Sequence, residues 1–281
     1  MTLGNKIHSS RIADLFDYGN DKIVKLFSEK TLKEFVEYEF NINKVAGQYD
    51  CPVPKVIEII EHEGRFGLVF EKIIGQSVTE ILKKPMKNAK QVAMHTASAH
   101  AKIHSVAFGS SGHPFDQHSI VLPRQYDYFK SKILKTEALS DEEKTDIIDY
   151  LMKLPDKLRL CHGDLHTGNY LVSDSKHYVI DWREAYIGHP ASDIARVQLL
   201  VQTPSSSNEL SGVKKAFKSM FIQSYLRSFI RMYMQLTGLK QHELDAWILP
   251  VAAARLSEEI PDEREWLLAL IKDELNKQRY H

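Results

Sequence analysis

The chain has 281 residues, which is long enough for one large domain or for two lobes that each bury a core. Lysine plus arginine equals aspartate plus glutamate at 37 each, so no net field selects a nucleic acid or an anionic membrane. No apolar run reaches the length that spans a bilayer, and only two cysteines occur. The composition therefore argues against a disulfide scaffold and a membrane protein, and predicts a protein of the reducing cytoplasm.

The first predicted element is a hairpin over residues 13–27, with its turn at Gly19-Asn20. On the second strand Lys25 lies between the apolar Ile23 and Phe27, which share its face. Two interpretations are open. The alternation by itself favours a solubility charge on an edge strand, and the other reading is a buried lysine that binds phosphate.

A helix is predicted to follow, beginning at a capping box of Thr31 and Glu34. Its apolar stripe consists of Leu32, Phe35, Val36, Ile42, Val45 and Ala46. Glu39 falls in the middle of this stripe, and a buried carboxylate needs a partner. Lys25 is the obvious candidate, because a strand lysine paired with a helix glutamate positions ATP phosphates in kinases. Alternatively, Glu39 reaches solvent from the edge of the stripe.

Two more strands are predicted over residues 55–61 and 66–73, before a helical region begins near Gly75. If the second strand ends in a kinase-like hinge, adenine would bond to the backbone of Glu71 and Ile73.

Residues 77–157 and 187–278 are predicted to be mostly helical. Ser140 with Glu143 marks one capped helix start, and Pro261 fits the first turn of another. A helix over residues 88–106 carries three histidines, two of them four residues apart as in zinc sites: His95, His100 and His104. Since no third ligand is evident, ordinary helix histidines are favoured.

The most informative stretch is His162 to Asn169, with Asp181 following twelve residues after Asn169. The flanking apolar segments predict a strand before this loop and a hairpin after it, so that Asn169 and Asp181 lie at the ends of one hairpin. Phosphoryl transfer from ATP needs an acceptor for the proton of the attacking hydroxyl and two oxygen ligands for magnesium. The spacing His-x-Asp-x4-Asn, with Asp164 in the middle, matches the catalytic loop of protein kinases.

Two other interpretations of this stretch are less consistent with the sequence. Gly-Asp-x-His also opens some binuclear metal phosphoesterases, but those need further Asp, Asn-His and His ligand clusters, and no Gly-Asn-His follows in this chain. A plain polar turn between two strands is allowed by composition, although three spaced polar residues would then coincide with the flanking strands by chance.

On these residues the chain resembles the aminoglycoside phosphotransferase and choline kinase group, relatives of protein kinases. The likeness runs from the Lys25 strand to Leu256-Ser257-Glu258 and is most specific in residues 162–169 and 180–195. It implies an α+β, bilobal, protein-kinase-like fold. Residues 1–73 would form a small antiparallel-sheet lobe with one helix, ending in the hinge. Residues 74–281 would form a larger helical lobe with the catalytic loop and the substrate pocket.

The resemblance also implies a role for each motif residue. Asp164 would accept the proton of the substrate hydroxyl, while Asn169 and Asp181 would hold magnesium. Lys25 would contact the phosphates of ATP, braced by Glu39. Two further residues would support the catalytic loop structurally: His162 and Asp193.

Two departures from the family pattern stand out. The segment His8-Ser-Ser-Arg-Ile12, where a glycine-bearing phosphate loop is expected, contains no glycine, so Ser9 and Ser10 hydroxyls or backbone amides would have to serve. Trp182 stands where protein kinases carry Phe-Gly after the metal-binding aspartate, so a switch of that kind is not expected.

The expected activity is transfer of the ATP γ-phosphoryl group to a hydroxyl of a small, amine-bearing molecule, by a monomer or homodimer that binds neither nucleic acid nor membrane. An aminoglycoside is the first expected acceptor, which would make the protein an antibiotic-resistance enzyme. Its ammonium groups could meet the late acids Glu258, Glu259, Asp262, Glu263 and Glu265, although acids there also suit a helix dipole. Choline-like amines, fructosamines and methylthioribose stay open. A regulatory nucleotide-binding module or a protein kinase is the alternative from another class.

Overall fold

The computed structural model describes residues 2–10, 12–83, 89–108, 121–173, 176–202 and 212–279, with backbone alone at 201 and 212–219. The chain divides into two units, each built from separate segments. The described residues of the first unit lie mainly in Met1–Val78 and Thr167–Glu184. Those of the second lie in Thr79–Phe108, Leu122–His166 and Ala185–His281.

An antiparallel sheet of five strands forms the frame of the first unit, in the order β1-β2-β3-β5-β4. Its strands are β1 (Lys6–Ser9), β2 (Ala13–Asp17), β3 (Lys22–Phe27), β4 (Val56–His62) and β5 (Arg65–Glu71). The predicted hairpin is confirmed as β2 and β3, and Gly19 in its turn has a φ of +74°, which favours glycine. β3 lies in the middle of the sheet, so the edge-strand interpretation of Lys25 is wrong.

Helix α1 (Lys33–Gln48) packs on this sheet through part of the predicted stripe. Four stripe residues are buried, with at most 1% exposed: Val36, Ile42, Val45 and Ala46. Leu32 and Phe35 are instead exposed at 62% and 64%. The predicted capping box is also wrong. Leu32 is the N-cap, and the Thr31 hydroxyl bonds the Ser28 hydroxyl at 3.0 Å in the preceding turn.

A second sheet joins a late hairpin to the early part of the chain. Its strands are β6 (Gln76–Ser77), β8 (Tyr170–Ser173) and β9 (Lys176–Val179), in the order β6-β8-β9. These pairings place Thr167–Glu184 with the first unit, whereas the sequence assigned everything after residue 73 to the C-terminal lobe. The hairpin predicted after Asn169 is thus present as β8 and β9, and residues 174 and 175 between these strands lie outside the described residues.

The rest of the chain is mainly helical. The helices are α2 (Val78–Leu82), α3 (Ala89–Ser105), α4 (Gln125–Lys135), α5 (Asp141–Lys153), α6 (Pro190–Gln202), α7 (Gly212–Thr237), α8 (Gln241–Asp245), α9 (Ile248–Arg255) and α10 (Pro261–Arg279). The predicted capping box of Ser140 and Glu143 is confirmed at α5, and Pro261 begins α10 as predicted. None of the helices in the described ranges is long and apolar enough to cross a bilayer.

Within the second unit, α3 packs along α7, and a short antiparallel pair carries the loop that contains Asp164. This pair consists of β7 (Arg159–Cys161) and β10 (Tyr186–Gly188). Strands concentrated in one unit and helices in the other make the chain α+β, as predicted.

Candidate active site

Lys25 lies at the centre of a cluster of charges in the first unit. Its Nζ is 2.6 Å from Glu39 Oε1 and 3.1 Å from Asp181 Oδ1. β3 carries the lysine between the buried Val24 and Leu26, and the Lys25 side chain is only 14% exposed. One cation therefore neutralises two carboxylates that come from distant parts of the sequence.

Glu39 is a buried member of the same cluster, 1% exposed on the inner face of α1. Burial raises the pKa of Glu39, and the nearby Lys25 opposes that rise. Oε2 of Glu39 has no hydrogen-bond partner among the described atoms, and Arg183 Nε lies 3.9 Å from it. The reading of Glu39 as a solvent-facing stripe edge is wrong, because the helix turns this carboxylate into the protein.

Asp181 follows strand β9 in a left-handed backbone conformation, with a φ of +67°. Arg183 Nε bonds its Oδ1 at 2.6 Å, and Nη2 bonds its Oδ2 at 3.2 Å. Burial by itself would raise the pKa of Asp181, but Lys25 and Arg183 hold this pKa well below its usual range. The carboxylate is therefore ionised at neutral pH.

Asn169 ends the 3-10 turn Thr167–Asn169 and is 7% exposed. The Ile180 N–H donates to the carbonyl oxygen of Asn169 at 3.0 Å, which ties this residue to the one before Asp181. Amide and carboxylate oxygens are the ligands that Mg²⁺ prefers, and Asp181 carries the required charge. The chemistry of these two side chains thus fits a divalent cation.

In the second unit, Asp193 holds the backbone of the loop after β7. Its Oδ2 accepts the His162 N–H at 2.6 Å, and its Oδ1 accepts the Gly163 N–H at 2.8 Å. Gly163 has a φ of +79°, a conformation that glycine adopts without strain. Burial by itself would raise the pKa of Asp193, but the hydrogen bond and the electrostatic interaction with His104 lower this pKa to about 2. A buried, charged carboxylate therefore holds the backbone of the loop through two N–H groups.

Asp164 leads a chain of alternating charges. Arg196 Nη2 bonds Asp164 Oδ1 at 2.6 Å, and Arg196 Nη1 bonds Glu258 Oε1 at 2.8 Å. Glu258 also pairs with Arg255, whose Nε and Nη2 bond the two oxygens of Glu263 at 2.8 and 2.9 Å. Two of the late acids thus neutralise arginines instead of lining an open anionic surface.

The hydroxyl groups of Ser9 and Ser10 already donate hydrogen bonds within the protein. Ser9 Oγ donates to Asp14 Oδ1 at 2.6 Å, and Ser10 Oγ donates to the Ala13 carbonyl at 2.9 Å. The bonds from Ser9 and Arg65 lower the pKa of Asp14 to about 2. A phosphate at this turn would have to compete for both hydroxyls.

The predicted hinge residues lie where β5 ends. Glu71 is the last residue of β5, and its side-chain Oε1 accepts the Lys55 N–H at 2.8 Å. Ile73 lies in the irregular segment between β5 and β6. This segment forms neither helix nor strand.

The helix histidines form a structural cluster. His104 Nδ1 bonds the Tyr233 hydroxyl at 2.6 Å and Nε2 bonds Asp193 at 3.2 Å. Ligand atoms of His104, Cys161 and Asp193 lie within 4.8 Å of one another. Burial and the neighbouring Asp193 raise the pKa of the Cys161 thiol well above its usual value, so it stays a thiol, which is a poor metal ligand. Among the described residues this geometry favours the interpretation as ordinary helix histidines.

Sequence reasoning missed three residues of this region. Arg183 comes two residues after Asp181, Arg196 comes three residues after Asp193, and His104 contacts Asp193 from another helix. One turn of α6 separates Asp193 from Arg196, and this spacing was the available signal for the arginine.

A sequence model of the phosphotransferase enzyme family matches residues 15–233, well over half of the chain. The chain belongs to this family. A curated mouse (Mus musculus) relative, acyl-CoA dehydrogenase family member 10, is 26% identical over 225 residues. The match covers 75% of this chain and 21% of that protein, so the chain spans about a fifth of the length of this relative.

Solved structures of the family have the same fold. The streptomycin–ATP complex of aminoglycoside phosphotransferase APH(2″)-IIa has a TM-score of 0.60 at 17% identity, over 99% of this chain and 91% of that one. A putative fructosamine-3-kinase from Haemophilus somnus reaches 0.65 at 16%, over 98% and 91%. Amicoumacin kinase hAmiN, with AMP-PNP, Ca²⁺ and its ligand, gives 0.62 at 16%, over 96% and 87%. The family member therefore has a protein-kinase-like fold, as predicted from the resemblance.

Proposed function

We propose that the protein is an ATP-dependent O-phosphotransferase that acts on a hydroxyl group of a small molecule. The observation that carries the proposal is the contact of Lys25 Nζ with both Glu39 and Asp181, at 2.6 and 3.1 Å. In a phosphotransferase this cation would bind the phosphates of ATP, with Glu39 holding it in place. The backbones of Glu71 and Ile73 would bind the adenine.

The reaction we propose is a direct, in-line displacement. A bond forms between the acceptor oxygen and the γ-phosphorus, the bond to the β-phosphate oxygen breaks, and ADP leaves. Asp164 accepts the proton of the hydroxyl, and the loop that carries Asp164 keeps its shape because Asp193 binds the N–H groups of His162 and Gly163. Much of the rate would come from positioning and charge neutralisation.

Asn169 and Asp181 would hold magnesium in this scheme. A bound magnesium ion neutralises phosphate charge as it develops during transfer. The support for this assignment is the chemistry of the two oxygens and the ionised state of Asp181. AMP-PNP with Ca²⁺ in the hAmiN complex, and ATP in the APH(2″)-IIa complex, agree with a nucleotide and a divalent cation.

For the acceptor we propose an amine-bearing molecule, with aminoglycosides tested first because streptomycin is the ligand of one structural relative. The acids that could meet its ammonium groups are the exposed ones: Glu259, Asp262 and Glu265. A metabolic acceptor resembling choline, fructosamine or methylthioribose is the second candidate. It is favoured because Glu258 and Glu263 are already paired with Arg196 and Arg255, which leaves fewer carboxylates for a polycation.

ADP release against a panel of aminoglycosides, single-amine sugars and choline-like alcohols, with product mass, would test the proposal. We expect one class to gain one phosphate. Asp164→Asn should lower kcat at least about a hundredfold with little change in ATP affinity. Asp149→Asn, on the exposed face of α5, is the matched control and should retain full turnover.

ATP binding with no transfer to any acceptor would instead indicate a regulatory module. Retained turnover in Asp164→Asn would remove Asp164 from the role of base. Labelling of proteins in a mixture with radioactive ATP would indicate a protein kinase.

A further inference from the structure

Arg196 holds the side chain of Asp164 through one carboxylate oxygen. Nη2 and Nε of the arginine donate to the same Oδ1 at 2.6 and 3.2 Å. The side chains of Asp164 and Arg196 are 20% and 10% exposed, so water screens the pair only weakly. Because a guanidinium group is planar and rigid, two bonds from one of its edges to the same atom fix the position of Asp164 Oδ1.

Helix α6 contacts the catalytic loop at two levels that are one helical turn apart. Asp193 accepts the N–H groups of His162 and Gly163, and Arg196, three residues later, binds the Asp164 side chain. Residues three apart project from the same side of a helix. One face of α6 thus binds both the backbone of the loop and one carboxylate oxygen of its acidic residue.

Arg196 is itself fixed by a longer chain of ion pairs. Glu258 accepts a bond from Arg196 at 2.8 Å and pairs with Arg255, which binds Glu263 at the start of α10. Charges buried in this way cost desolvation, and well-packed apolar residues often stabilise a fold at least as well. The ion pairs are therefore weak evidence for fold stability, and they hold Arg196 where it binds Asp164 Oδ1.

We propose that Arg196 is a positioning residue for phosphoryl transfer, which orients Asp164 towards the acceptor hydroxyl. This inference rests on the proposed function, in which Asp164 accepts the proton. Arg196 acts through its bonds to the Asp164 carboxylate. Misplacing a reacting group by about 1 Å can cost about a hundredfold in rate, so loss of the guanidinium should lower kcat without weakening ATP binding.

The test compares Arg196→Ala with Arg255→Ala. Counted over the whole residue, both arginines are 8% exposed, and both belong to the same chain of charges. The bonds of Arg255, however, go to Glu258 and Glu263. Arg196→Ala should lower kcat about a hundredfold and leave the KM for ATP nearly unchanged. Arg255→Ala should lower kcat less than about tenfold. Millimolar guanidinium chloride should restore at least about tenfold of the lost kcat in Arg196→Ala alone, relative to equal sodium chloride.

Equal loss of kcat in the two variants, or no response to guanidinium beyond that to sodium, would overturn the positioning role. A double-mutant cycle of Asp164→Asn and Arg196→Ala, followed by urea unfolding, provides a measurement that needs no substrate. We expect a coupling of at least about tenfold in the unfolding equilibrium constant. Additive effects of the two substitutions on that constant would contradict the interaction of Arg196 with Asp164. If the wild-type protein phosphorylated nothing, the proposed function would fail, while the coupling would still decide whether Arg196 holds Asp164.

Discussion

At the scale of single residues, Lys25 lies between two carboxylates of the candidate site. Its Nζ meets carboxylates of Glu39 and Asp181, and Arg183 adds a second cation to Asp181. Replacing one member therefore changes the charge balance of the others, so single substitutions here will not have additive effects. Kinetic data on a variant of this cluster should therefore be interpreted as the response of the four residues together.

His189 predicts a pH dependence of stability. Its ring is fully buried, Nδ1 accepts the Ala191 N–H at 3.1 Å, and burial with the nearby Lys157 lowers the pKa of His189 to about 4. An unfolded histidine titrates near 6.5, so between about pH 4 and 6.5 the unfolded state binds more protons. The free energy of unfolding should therefore fall by about 2–3 kcal/mol from this group as the pH drops through that window.

Urea unfolding between pH 4.5 and 7 would measure this effect. His189→Asn keeps an acceptor for the Ala191 N–H but cannot titrate, so its stability should depend less on pH in that range. The exposed His242→Asn is the matched control and should retain the wild-type slope. The same slope in all three proteins would contradict the assignment.

The sequence predicted some residue contacts and missed others for a physical reason. Lys25 and Glu39 could be paired because alternation on a strand and the stripe of a helix both direct them inward. Arg196 lies beside Asp164 only after the chain has folded, and an arginine in a turn or helix, as Arg183 and Arg196 are, usually faces solvent. Their roles, like those of Asp164, Asn169 and Asp181, stay predictions until variants are measured.

At the scale of elements, the connection between β5 and β6 depends on a glycine. A Cβ on Gly75 would lie 2.4 Å from the Val172 carbonyl oxygen in β8, closer than any real contact. The pairing of Gln76 with Val172 begins at the next residue, so this close approach is part of the β6-β8 register. The segment tolerates no side chain without moving a strand.

We therefore expect Gly75→Ala to lower the free energy of unfolding by about 1–3 kcal/mol, because backbone must shift to relieve the overlap. Gly47→Ala is the matched control. A Cβ there meets only the Val53 side chain at an ordinary 3.5 Å, and alanine favours a helix over glycine by up to about 1 kcal/mol. Thermal denaturation should show opposite signs for the two variants, and a neutral Gly75→Ala would contradict the steric argument.

The boundaries of elements were predicted unevenly. The capping box of Ser140 and Glu143 sits directly before α5, so the sequence signal coincided with the helix start. At α1 the same pattern misled, because the Thr31 hydroxyl bonds Ser28 in the preceding turn and leaves Leu32 as N-cap. A local motif cannot indicate that a neighbouring turn competes for its hydroxyl.

At the scale of the whole molecule, the balance of 37 basic and 37 acidic residues leaves no net field to attract a nucleotide. Affinity for ATP must then come from local groups, chiefly the proposed cluster of Lys25, Asn169 and Asp181. A ligand that binds only the folded chain raises its stability, by about 2.7 kcal/mol at a hundred times its dissociation constant.

A non-hydrolysable ATP analogue with magnesium should therefore raise the Tm of the wild-type protein, and the analogue with a chelator should raise it less. Asp181→Asn should lose most of the magnesium-dependent part of the shift. The exposed Asp149→Asn should keep it. A shift in Asp181→Asn as large as in the wild type would remove Asp181 from the metal site.

The fold class and the family could be predicted from the sequence, because one specific loop and a consistent order of strands and helices determine both. The division into units could not. Residues 167–184 belong with the N-terminal segment through pairing of β6 with β8, and such long-range pairing leaves no local trace in the sequence. A single boundary after residue 73 was the simplest expectation that the sequence allowed.

Trp182 has a consequence for chemical inhibition. Trp182 comes directly after Asp181, the aspartate proposed to bind metal. Its side chain is fully buried, and the indole N–H donates to the Val179 carbonyl at 3.1 Å. Compounds that act on protein kinases by wedging into the space left when the equivalent phenylalanine swings outward would need this indole to leave its pocket. For the phosphotransferase that we propose, inhibitor discovery should therefore concentrate on competitors of nucleotide or acceptor.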